Sequence, residues 1–467
     1  MKEQFKKLAA LVLAGACLAT SACGGKTKNS STTEDGRILL PISNWQEEET
    51  NPVGYKRQMD KIERFEKEYP NIKVVDAGWS YDTETFAAKA EGHTLPVVYL
   101  IPFTETAKIM NLGYAVDITE KSKEYGYYDL INDFAMEQIS RDGKVYYIPS
   151  ECYSMALFLN LKLFEEAGLV ESDGTPKTPE TYDEMVSMAQ TIKEKTGKAG
   201  FIFPTTDNFG GWDFTMFAWA FGAKFITQQE DGSYKATFDT PECAQALQFV
   251  KDMKWKYNIL PELTLVDLAE QQKQVATDQA AMTFVNLSMI GTFTSTYGMD
   301  INNIGLAKIP AGPVKRVSLM GGAYYAFSPD ATPEQLDAAF KWITFDNDFI
   351  HFDDATKESL KNTYQDKVEK GEIVGIKELS LWNHLSEYQA YKDQLIDQFC
   401  NVNPNHLKSF NDKTGIEFSA EEPVCAQDLY STLDSCLQEV LNNENADCAQ
   451  VLKEANDLFQ SNYLDYE

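Results

Sequence analysis

Side chains that could do chemistry are plentiful in this 467-residue chain, but few are spaced to do it. The four histidines, His93, His351, His384 and His406, lie far apart with no H-E-x-x-H pairing. The spacing that places two imidazoles on one helix face around zinc is therefore missing. Asp346-Asn347-Asp348 opens like a calcium loop, yet His351 holds the sixth position, where the sharp turn needs glycine. Neither a metal nor any other cofactor is expected. Apart from Cys17 and Cys23 there are six cysteines (Cys152, Cys243, Cys400, Cys425, Cys436 and Cys448) and no C-x-x-C. Their even number permits disulfides without fixing a connectivity. One bridge among Cys425, Cys436 and Cys448 and free thiols throughout are both open. No G-x-S-x-G nucleophile elbow occurs. The 71 Asp and Glu residues could supply the two carboxylates of a glycoside hydrolase, but their separation cannot be read from sequence.

The composition narrows the partners. With 42 Lys and Arg against those acids, the formal net charge is −29. Binding nucleic acid through overall charge, or an anionic membrane surface unaided, would need the opposite sign. Hydrophobic residues at 43% and charged residues at 24% are ordinary for a globular protein, and the length allows two or three domains.

Residues 1–22 read as an address. Lys2, Lys6 and Lys7 precede the short apolar run Leu8–Thr20, and Ser21-Ala22-Cys23 follows. A basic start, an apolar stretch too short to span a bilayer and small residues before a cut site describe an export signal. The Cys after Ser-Ala resembles a bacterial lipobox with Cys23 as the acylated residue, although Thr20 stands where Leu is usual. Residues 23–37 are small and polar, a flexible tether.

The body alternates strand and helix signals, which points to α/β domains with a parallel sheet. Ile38–Ile42, Ile72–Val75 and Leu95–Ile101 read as strands, the last apolar on both faces and so fully buried. Met59, Ile62 and Phe65 recur at helical spacing until Pro70, and residues 104–112 form a helix ending at Gly113. Gly143–Ile148 is a strand ended by Pro149. Residues 157–160 lead into a helix capped near Gly168, and capping boxes at Thr181/Glu184 and Thr332/Gln335 open two more helices. The chain from about residue 425 is helical in pattern.

These pieces fall in a known order. Phe65–Val74 (FEKEYPNIKV), Gly113–Thr119, Gly143–Pro149, Phe158–Gly168 (FLNLKLFEEAG), Thr181–Glu184, Asp278–Met282 and Gly321-Gly322 resemble motifs of the extracellular solute-binding proteins of ABC importers. Within these they resemble family 1, the sugar-binding group that includes maltose-binding protein. The likeness runs from about residue 38 to 345. Two places depart: Pro96-Val97-Val98 lacks the acid of the family's PDV, and Met289 stands where a Trp is common.

The resemblance implies a type II periplasmic-binding-protein fold, two α/β lobes joined by hinge strands with a ligand cleft between them. The lobes would be residues 38–148 plus about 285–322, and 149–284 plus about 323–467. The chain would cross between them near 147–157, 275–290 and 320–328. A sugar offers apolar C–H faces and a rim of hydroxyls, so aromatic plates with a few aimed polar groups should hold it. The implied ligand residues are Trp45, Gln46 and Glu48 after the first strand, and Tyr153 backed by Glu151. Trp212 and Asp213 would act from a helix whose first turn faces the cleft with unpaired N–H groups, joined by Asn286, Gly322, Tyr324 and Trp382. The implied protein is a monomer and performs no chemistry. Lipid holds it at the outer face of the cell membrane, where it passes a carbohydrate to the permease subunits. Rival readings are a peptide or polyamine on the same scaffold, and a secreted glycoside-active enzyme.

Overall fold

The computed structural model describes residues 31–49, 52–83, 85–383 and 386–466; the export signal and Cys23 lie outside the described residues. The chain separates into two units, one ending at Val98 and including Asp330–Lys341, the other Tyr99–Pro329 with Trp342–Glu467. This division by compactness does not follow the expected lobe boundaries, since residues 99–148 group with the second unit.

In the first unit, strand β1 (Ile38–Ile42) pairs in parallel with β2 (Ile72–Asp76), Ile38 opposite Ile72 and Ile42 opposite Asp76. Helix α1 (Pro52–Glu68) connects them, and the expected spacing puts Ile62 and Phe65 in the core. Such β–α–β crossovers produce parallel pairing. Ile42 also pairs in parallel with Val98. The capping box at Thr332 forms reciprocally: Gln335 N donates to Thr332 Oγ1 and Thr332 N to Gln335 Oε1, both at 3.2 Å.

In the second unit the central element is β3 (Ile148–Asn160), thirteen residues long. The sequence reading ended a strand at Pro149. The structure instead makes Pro149 the second residue of this long strand, where a missing N–H costs little, at a bulge opposite Ala323/Tyr324. Strand β4 (Met282–Asn286) pairs antiparallel with Met155–Leu159, and β5 (Ile304–Ala307) with Leu157–Asn160. Strand β6 (Val317–Phe327) takes the other half of β3, Met320 opposite Ser154 and Tyr325 opposite Ile148. Its first residues also pair in parallel with β7 (Glu417–Ala420). The three segments expected as crossings, 147–157, 275–290 and 320–328, therefore contain strands β3, β4 and β6, with β3 paired to both others.

Helices cover this sheet. Helix α2 (Tyr182–Thr196) begins at the expected box, Thr181 Oγ1 accepting from Glu184 N at 3.2 Å, and ends at Gly197, φ +72°. Helix α3 (Phe209–Ala220) is buried on all sides except Phe209, as a helix apolar all round must be. Helices α4 (Pro241–Trp255), α5 (Leu268–Ala276), α6 (Ser288–Ser295), α7 (Asp354–Glu369) and α8 (Ser386–Gln398) follow, then α9 (Ala426–Asn442) and α10 (Cys448–Asn462). The six described cysteines are free thiols, so the option of a bridge among the last three is not taken.

Candidate functional site

Helix α3 begins with Gly210-Gly211 because α9 lies against it. A Cβ on Gly211 would sit 2.1 Å from the Tyr430 carbonyl oxygen, and one on Gly210 would sit 2.6 Å from Asp434 Oδ1. Only glycine lets the two backbones approach this closely. Asp434 of α9 uses that proximity to cap α3: Oδ1 accepts from Gly211 N and Oδ2 from Asn208 N, both at 2.7 Å. A carboxylate at a helix N-terminus satisfies orphan N–H groups and complements the dipole. The amides that the sequence reading left open to a ligand are thus already taken.

Trp212 projects from the first turn of α3 and is 7% exposed. Its Nε1–H donates to Glu421 Oε1 at 3.0 Å, and the Tyr430 hydroxyl donates to the same oxygen at 3.1 Å. The Tyr153 ring meets Trp212 edge-on, centroids 6.4 Å apart at 65°. Across β6, Tyr153 lies over Gly321, where a Cβ would press on its ring and hydroxyl. Burial raises the Glu421 pKa; the hydrogen bonds from Tyr430 and Trp212 lower it, and Glu105 raises it further. One turn pair along the same helix, Trp219 and the Ile226 N–H stabilise the ionised form of Glu422, but burial dominates and lifts its pKa to about 7. Two indoles seven residues apart on α3 thus serve consecutive carboxylates.

The other expected residues are placed as follows. Asp213 is 1% exposed, with Oδ2 lacking a partner among the described residues. Burial and the neighbouring Asp434 push its pKa well above the usual range, favouring the neutral acid. Asn286 ends β4 half-buried, and its Oδ1 accepts from Ser288 Oγ at 2.5 Å. Gly322 faces Cys152, with no room for a Cβ between Glu151 O and Phe103. Tyr324 is fully buried, stacked on Phe103 at 4.3 Å and near Tyr147 at 6.4 Å. Trp382 is half-buried against Phe349 and Tyr127, at 4.4 and 5.6 Å. In the first unit, Trp45 is half-buried just past β1. Gln46 is held by its own loop, N donating to Gln58 Oε1 at 2.8 Å and Nε2 to Asn44 O at 3.1 Å, while Glu48 is exposed.

The structure therefore brings Tyr153 and Trp212 together and adds Glu421, Tyr430 and Asp434, which sequence reasoning missed. A signal was present: Tyr430 and Asp434 fall on the apolar stripe of α9 with Leu429, Leu433 and Leu437, where an acid needs a buried partner.

The α/β scaffold is of the periplasmic-binding-protein class, with an aromatic pair beside a shared carboxylate at the start of α3. Solved structures agree on the fold. The cyclic alpha-maltosyl-1,6-maltose binding protein from Arthrobacter globiformis superposes with a TM-score of 0.66 at 18% identity, covering 91% of this chain and 99% of that one. Maltose-bound T. maritima MalE3 gives 0.63 at 18% identity, covering 91% and 99%. The chain belongs to the bacterial extracellular solute-binding protein family, whose model matches residues 50–345. Among curated relatives, the maltodextrin-binding protein MdxE of Bacillus subtilis (strain 168) is 26% identical over 215 residues, 44% of this chain and 45% of that protein. The multiple sugar-binding protein of Streptococcus mutans is 27% identical over 205 residues, 41% and 42% of the two chains. These matches span less than half the length of either relative.

Proposed function

We propose that this protein captures a mono- or oligosaccharide outside the cell and delivers it to the permease of an ABC importer. The observation that carries the reading is the Tyr153–Trp212 pair with Glu421 beside it. The rings supply faces for sugar C–H groups, and the carboxylate oxygen not used by Trp212 and Tyr430 supplies an acceptor for hydroxyls. Sugar-binding names among the relatives support it. The lobes expected from the sequence are the proposed jaws, with β3, β4 and β6 as hinge strands. Lipid on Cys23 would hold the protein at the outer membrane face, so Cys23→Ala should release it to the medium.

A thermal-shift and calorimetric screen of sugars tests the reading, because a specific solute raises the melting temperature by mass action. Saturable binding of one sugar, recovered uncleaved, is expected. A second reading is favoured by the acids Glu421, Glu105 and Glu151, whose charges act within this cluster. They would suit a cationic solute such as a polyamine, and binding of spermidine with no sugar binding would decide for it.

A further inference from the structure

A cavity of about 280 Å³ lies among α6, α7, α8 and the segment 372–378, apart from the Trp212 cluster. Successive side chains on a strand point to opposite faces. Tyr153 turns to Trp212, whereas the Cys152 thiol turns the other way and donates to Leu379 O at 3.5 Å, next to the cavity wall at Glu378.

The lining has two characters. Ile290 and Ile396, both buried, form an aliphatic floor, and Ile396 belongs to a small core cluster that α7 and α8 share. Around it stand two lysines, Lys367 and Lys392, and two glutamates, Glu372 and Glu378. Among the described residues, neither lysine forms an ion pair and the Glu378 carboxylate accepts no hydrogen bond. Lys392 is half-buried, whereas Lys367, Glu372 and Glu378 are exposed at the cavity mouth. Paired opposite charges over an aliphatic floor, in a volume below the ~300–1,000 Å³ of drug-sized sites, suit one small molecule with matching charges.

We propose that this cavity is a second binding site, for a free amino acid with a branched aliphatic side chain. Its carboxylate meets Lys392 and Lys367, its ammonium meets Glu378, and its side chain lies on Ile290 and Ile396. The site goes beyond the sugar reading and does not depend on it.

The test titrates the full chain with L-leucine and L-isoleucine by calorimetry. Two analogues accompany them: 4-methylpentanoate, which lacks the ammonium, and isopentylamine, which lacks the carboxylate. One-to-one binding of an amino acid is expected, with each analogue weaker by about tenfold or more, the scale of one lost charge-assisted hydrogen bond. Lys392→Gln and Glu378→Gln should each weaken leucine by a similar factor while leaving the ligand-free melting temperature nearly unchanged, since neither side chain is part of a packed core. Trp212→Ala should keep leucine binding, which separates this site from the sugar site. No heat with either amino acid up to about 10 mM, well above a millimolar dissociation constant, would overturn the proposal. So would analogues that bind equally well, variants that bind unchanged, or loss of leucine binding in Trp212→Ala.

Discussion

Trp212 Nε1 and the Tyr430 hydroxyl share one acceptor, Glu421 Oε1, at 3.0 and 3.1 Å. Two donors from two helices converge on a half-buried carboxylate, so the indole is fixed in one orientation with the edge of Tyr153 against it. A ring that does not need to settle on binding loses little entropy when a solute arrives.

Trp212→Ala should weaken sugar binding by about 1–3 kcal/mol and lower the melting temperature, because a mostly buried indole is deleted. Trp212→Phe keeps a ring but loses the N–H and part of the buried indole volume, so it should cost about 1–3 kcal/mol of stability, less than Trp212→Ala. Calorimetry and thermal melts on both variants separate the ring from its N–H. Affinity unchanged in Trp212→Ala would remove Trp212 from the site.

Glu421→Gln preserves an oxygen to accept from Trp212 and Tyr430 and deletes the charge. A neutral sugar should bind this variant within about tenfold of the parent, whereas a cationic solute should lose about 2 kcal/mol or more. Titrating both ligand classes against the one variant therefore tells the two functional readings apart.

Gly321→Ala would place a methyl 2.3 Å from the Tyr153 hydroxyl and 2.5 Å from Cζ. The ring must move, at a cost of about 1–3 kcal/mol. Solute affinity should fall together with stability in denaturant titrations; full affinity would show that the Tyr153 position is irrelevant to binding.

Asp434→Ala removes the acceptor for two helix amides and should cost about 2 kcal/mol in urea unfolding, with Asp434→Asn less damaging.

The Glu422 pKa is raised by burial to about 7 from an ordinary value of 4.5. The folded state then holds this proton more tightly than the unfolded chain. Its contribution is complete below pH 4.5 and fades as pH rises through 7, by up to about 3 kcal/mol. Measured from pH 4.5 to 8, the stability of the parent relative to Glu422→Gln should fall as pH rises, by up to about 3 kcal/mol. A pH-independent difference would place the Glu422 titration elsewhere.

Much of the scaffold could be read locally. The α1 stripe of Ile62 and Phe65, the capping boxes at Thr181 and Thr332 and the positive-φ glycines Gly113 and Gly168 depend on neighbours within a few residues, and each appears as expected. The Pro149 strand end failed because a proline breaks a ladder only where its N–H is needed, and the partner strand decides that. Tyr153 and Trp212 were legible as aromatics near expected crossings. Their shared carboxylate was not, because Glu421 and Tyr430 lie about two hundred residues further along the chain. Periodicity and turn chemistry report short-range geometry, so the sequence alone determined the elements and their order. Which acid meets which indole, and that Asp434 rather than a solute fills the start of α3, depend on helix docking across the core, and only the tertiary structure decided them.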